Sequence, residues 1–222
     1  MNTVFKFYMQ AWSMFAVSSA AALYWLVPVL QQRWSSGWRR GWQIGLGLLV
    51  GGVLLFPLLA GADKIRDRMS LEAPHTLDGM AYLRTSFYNE NGVDMDLSYD
   101  YRAIRWMQEN VQGSPVIVEG KTGEYHWGTR FTIYTGLPGV VGWNWHQIQQ
   151  RSTLPGEWVT NRIMEISTFY TTTNLDLATA FLRKYDVSYI ILGQLETAVY
   201  PGEGLNKFAA YNGTYWNEVY RD

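Results

Sequence analysis

The chain has no cysteine. Disulfide frameworks, thiolate metal sites and cysteine nucleophiles are therefore excluded together. Charge is scarce as well, at 17% of 222 residues, and the formal net charge is only -1. A nucleic-acid binder normally carries a basic excess, so none is expected here. Residues 1–62 hold no acid at all, only Lys6, Arg33, Arg39 and Arg40, whereas the other 14 basic and all 19 acidic residues follow. That split implies two solvents. Also missing are a G-x-x-x-x-G-K-[ST] phosphate loop, a G-x-G-x-x-G turn and a G-x-S-x-G nucleophile elbow.

What is present begins with two apolar runs. Twenty-six uncharged residues separate Lys6 from Arg33, and 22 separate Arg40 from Asp63. Roughly 20 apolar residues suffice for a helix to cross a bilayer. The first run continues through Trp25, Leu26 and Val27, too long for a cleaved signal peptide. Spans are expected at about 8–30 and 41–61, with a loop over 31–40 where Trp34, Trp38 and Trp42 suit the headgroup layer. Pro28 and Pro57 each sit near the end of a span. Gly41-x-x-x-Gly45 and Gly47-x-x-x-Gly51 let another helix approach closely. The expected partners are thus the lipid bilayer and other transmembrane helices. Orientation is a tie by charge, with three basic residues on each side of the second run.

Residues 63–99 read as a polar stem and 100–222 as an α/β domain, giving an α/β fold class with two transmembrane helices followed by a mixed α/β domain. Helices are expected at Tyr101–Val111, Glu157–Thr171 and Asn174–Tyr185, and strands at Pro115–Glu119, Arg130–Thr135 and Val187–Leu192. A short helix and an edge strand are expected in Gly204–Arg221. Val116–Val118 and Ile190–Leu192 should be adjacent buried strands.

The chemistry concentrates in Glu124–Arg151, EYHWGTRFTIYTGLPGVVGWNWHQIQQR. Indoles stack on sugar rings and guanidinium groups hold phosphate, so Arg130, Trp143, His146 and Arg151 are the candidate substrate-binding residues. The competing reading makes them core and turn residues. A metal set from Glu119, Glu124, His126 and His146 matches no known ligand spacing, and neither a metal nor a cofactor is expected in this chain.

Several segments together resemble the Chlor-Arch-YYY family of large polytopic membrane proteins. They are Asn2-Thr3-Val4-Phe5-Lys6-Phe7-Tyr8, Thr76–Tyr82, Thr135-Gly136-Leu137-Pro138 with Gly142-Trp143 and His146-Gln147 up to Arg151, and Lys184–Val187 with Ile190–Gly193. Family members are several times longer, so by this resemblance the chain is a C-terminal fragment; the YYY-x-G motif of the family is absent. The family is grouped with GT-C glycosyltransferases, which use polyprenyl-phosphate sugars. The resemblance implies that the catalytic loop lies elsewhere, that Gln31–Gly41 is cytoplasmic, and that residues 63–222 are extracytoplasmic and bind lipid-linked sugar or glycan. The alternative is a non-enzymatic membrane-anchored binding or assembly domain.

Overall fold

A computed structural model describes Asn2–Met69 and Glu72–Asp222; Ser70 and Leu71, within the expected stem, lie outside the described residues, as does Met1. The chain divides into two units, 1–69 and 70–222.

The first unit is a helical hairpin of α1 (Asn2–Arg33) and α2 (Ser36–Arg68). Both helices are long and apolar enough to cross a membrane. They are apolar and exposed on nearly every face, and α2 buries no residue. A helix apolar all round needs an apolar surrounding. The expected loop of 31–40 shrinks to Trp34 and Ser35 because both helices extend through its polar residues. Arg39 donates to the Gln31 carbonyl across the connection at 3.1 Å. Pro57 lies eleven residues before the end of α2, so α2 outruns its apolar segment and carries Asp63–Arg68 as helix.

The second unit opens with a short 3-10 turn, Ala81–Arg84, and the antiparallel hairpin β1 (Phe87–Glu90) and β2 (Val93–Asp96). Asn91 and Gly92 turn it, with φ of 53° and 82°. Those two left-handed residues are what a two-residue hairpin loop requires. Part of the expected stem is therefore ordered structure, with Ala81 and Leu83 buried. Asp96 caps α3 (Leu97–Asn110), its carboxylate accepting from the Ser98 amide at 2.9 Å.

Next comes β3 (Val116–Val118), followed by α4 (Arg130–Thr135), α5 (Asn144–Gln150), α6 (Glu157–Thr171) and α7 (Leu175–Tyr185). Asn174 caps α7 through the amides of Asp176 and Leu177, and left-handed Asp186 ends it. The chain then returns as β4 (Val187–Ile190), parallel to β3, and closes with α8 (Gln194–Val199) and α9 (Asn206–Ala210). β3 is largely buried between two clusters, whereas β4 is half-buried with Ser188 exposed. Ile117 packs with Ile104, Met107, Phe131 and Leu137. Val118 joins Val159, Ile166, Phe169, Tyr170 and Phe181 on the opposite side.

Three further expectations change. Arg130–Thr135 is a helix, not a strand, because the Glu119 carboxylate takes the Phe131 and Thr132 amides at 2.9 Å each and Gly136 stops the helix with φ 74°. The β-branched and aromatic content of that segment yields to these tertiary contacts. Leu192 falls beyond β4 and is 47% exposed, so it is not core. After α9 the tail forms no strand, only an isolated bridge between Asn212 and Trp216.

Candidate functional site

In parallel sheets ligands gather at the carboxyl ends of the strands. Here those ends release two connections, residues 119–129 after β3 and 191–193 after β4. An ion-pair cage ties them together. The Arg130 guanidinium, 1% exposed, donates to Asp100 at 2.7 Å and to both oxygens of Glu196 at 3.1 and 3.0 Å, with Glu119 at 3.9 Å. Glu196 also accepts the amides of Gly120, at 2.7 Å, and Gly193, at 2.9 Å. A Cβ on residue 120 would stand 2.9 Å from the Glu196 carboxylate, which is why glycine occupies it.

Burial pushes the Glu196 carboxyl up, but Arg130 and the two amides outweigh it and leave it below the ordinary range. For Glu119 burial prevails over Arg130 and the α4 amides, and its carboxyl is raised. Burial works against the Arg130 cation, yet Glu196 and Asp100 hold it more firmly charged than usual. This cage fixes backbone, and Arg130 offers its fork to the protein rather than to solvent.

Beyond the cage the loop turns outward. Tyr125 has φ 62° and is 69% exposed. Its hydroxyl meets His146 Nε2 at 3.0 Å, and its ring lies 5.1 Å edge-on from Trp143. Trp143 and His146 are 5.6 Å apart, so three rings form one cluster. Glu124 reaches the same place, its Oε1 accepting the Trp145 amide at 2.9 Å. Among the described residues four buried side-chain polar atoms have no hydrogen-bond partner; three of them are Glu124 Oε2, Trp143 Nε1 and Asn144 Oδ1. Buried polar atoms are nearly always satisfied, so three orphans beside one ring cluster set this place apart from the rest of the second unit.

On the other flank, His126 Nδ1 lies 3.1 Å from the buried carboxylate of Glu90, on β1. Trp127 donates its indole N–H to Asp100 at 2.6 Å. Lys121 donates to the Thr122 carbonyl; burial holds its amine below the ordinary lysine value and Glu124 pulls it partly back.

Of the four candidate residues, the fold brings Trp143 and His146 together. Arg130 lies in the cage. Arg151 is exposed and stacks over Trp158, 5.0 Å from the ring centroid, with Arg162 also over that indole at 4.2 Å. The four therefore do not form one concavity. The metal set is likewise dispersed, since Glu119, Glu124, His126 and His146 each have a different partner, and among the described residues no group of three His, Asp or Glu is arranged to hold an ion. Tyr125 and Asn144 complete the ring cluster. Both lie in the dense run, but nothing in their spacing singles them out. No family model, curated protein or solved structure matches this chain.

Proposed function

We propose that the chain is the membrane-anchored, sugar-binding part of a longer glycosyltransferase-like protein. In this reading α1 and α2 cross the bilayer with their connection on the cytoplasmic side. The second unit lies outside the cytoplasm and receives a saccharide, either a polyprenyl-phosphate sugar or its glycan acceptor, on the cluster of Tyr125, Trp143 and His146. The ring faces take the apolar side of a pyranose. Glu124 Oε2 and Asn144 Oδ1 accept its hydroxyl protons, and the Trp143 indole N–H donates to a hydroxyl oxygen. The observation that carries the reading is the set of three unpartnered polar atoms against those rings. The membrane placement rests on the two long apolar helices, and the glycosyltransferase assignment on the family resemblance.

The test is calorimetric titration of the full chain in nanodiscs with a short-chain polyprenyl-phosphate hexose and, separately, with a neutral oligosaccharide. Saturable binding to one of them is expected, weakened about tenfold by Tyr125→Ala or Trp143→Ala at unchanged melting temperature, a loss of about 1.4 kcal/mol. A non-enzymatic assembly domain is favoured by the engagement of Arg130 and Arg151 within the protein itself. Absence of binding to either sugar decides for it.

A further inference from the structure

Away from the ring cluster the second unit has a cleft of about 1010 Å³. One wall is β4 with the residues after it to Gln194, the other is the C-terminal run from Tyr215 to Asp222, and α3 with Phe131 forms the floor. On one side β4 pairs with β3; among the described residues no strand pairs with its other edge. The Ile191 amide donates to the Val118 carbonyl at 2.9 Å. Successive residues of a strand alternate in direction, so the peptide groups of Ser188 and Ile190 point away from β3.

Exposed edges are ordinarily blunted by charge or proline. The segment Val187–Leu192, VSYIIL, contains neither. The opposite wall is anchored on α3, by the contact of Arg102 with Asp222 and the packing of Trp106 on Tyr220 at 5.4 Å. Charge is unbalanced at the cleft. Of the carboxylates that line it, Glu218 is paired with Arg221 and Asp222 with Arg102, which leaves Asp100. Behind Asp100, the single Arg130 is shared among Asp100, Glu119 and Glu196.

We propose that this cleft takes an extended peptide, which adds a strand to the free edge of β4 and directs a basic side chain toward Asp100. Strand addition supplies main-chain hydrogen bonds from Ser188 and Ile190, while Trp106, Tyr189 and Tyr220 offer apolar contact to alternate side chains. The cage at Asp100, three carboxylates to one cation, selects a cationic segment over an acidic one. This proposal does not depend on the sugar-binding reading, because its residues are not those of the ring cluster.

The probe is the labelled peptide acetyl-VTVKVT-amide, added to the full chain in nanodiscs. Saturable binding is expected. It should weaken at least about tenfold when the lysine of the probe is replaced by glutamate, and equally when alternate probe amides are N-methylated. Ser188→Pro removes one outward amide and should cost a similar factor. Amide exchange gives a second readout that needs no variant. In the free chain Ser188 and Ile190 exchange fast and Ile191 slowly; with the probe, the first two slow by about tenfold or more. Protection of Ile190 in the free chain would mean that the edge is already covered, and would overturn the proposal. So would absence of probe binding, or protection of the same amides by maltohexaose instead of by the peptide. Trp143→Ala should leave probe binding unchanged, which separates failure here from failure of the sugar site.

Discussion

Replacing Arg130 by Met removes the only cation from a cage of three carboxylates. Glu196 and Glu119 are almost wholly buried there, and Asp100 nearly so. Three charge-assisted hydrogen bonds disappear, and Glu196 is left as a buried charge facing only the amides of Gly120 and Gly193. Breaking a buried pair from one side costs about 3–5 kcal/mol, mostly the penalty of stranding the partner. In a unit of this size that corresponds to a fall of roughly 6–20 °C in melting temperature. The assay is near-ultraviolet circular dichroism of the full chain in nanodiscs, which follows the aromatic packing of the second unit. Arg130→Met with Glu196→Gln should recover part of the loss, because an amide without its cation strands no charge. A drop below about 2 °C would refute the reasoning. So would unchanged melting with sugar binding abolished, which would return Arg130 to the ligand role that its position in the dense run suggests.

Ile117→Ala should destabilise the second unit by about 2–5 kcal/mol, whereas Leu192→Ala, at an exposed site, should cost less than about 1 kcal/mol; equal losses in chemical denaturation would contradict the β4 boundary. Burial lowers the Lys207 amine, which donates to the Tyr170 and Gly204 carbonyls, from 10.5 to about 8. Between those values the unfolded chain holds the extra proton, so the Lys207 contribution makes stability rise with pH from about 8 toward 10.5. The difference between wild type and Lys207→Met should show that slope, and a flat or inverted difference would exclude it. For topology, single cysteines at Ser36 and Ser98 should be labelled from outside intact cells only at position 98; the reverse pattern inverts the proposed orientation.

Much of the helical framework is legible in the sequence because burial imposes its period. The spacing along Glu157–Thr171 gives α6 with the same bounds, and that of Asn174–Tyr185 gives α7 with its cap. The two parallel strands are legible as short β-branched runs. What escapes depends on residues far apart in the chain. Nothing local announces that Arg130 will meet Asp100, Glu119 and Glu196, so it reads as a phosphate-holding cation, and its segment reads as a strand until Glu119 caps it. The Asn91-Gly92 pair is a hairpin signal, but its flanking strands are four residues each and polar, so the segment passes for a linker. Trp143 and His146 are legible as a ring-rich patch. Their coupling through Tyr125 requires a left-handed backbone at a tyrosine, which no spacing rule anticipates.

The parallel pairing of β3 with β4 also sets a schedule for synthesis. Val118 leaves the ribosome nearly seventy residues ahead of Val187. At about 5–20 residues per second, β3 waits roughly 3–15 s for the strand that completes it. During that interval its apolar residues can pair only with the segment around Gly139, which arrives earlier and bridges Ile117 from the other side. A nascent chain stalled before residue 187 therefore exposes a half-paired, uncharged strand edge. An edge of that kind, left uncovered, is prone to aggregate. Truncations that keep β3 but omit β4 should accumulate as insoluble material even though most of the domain's helices are present.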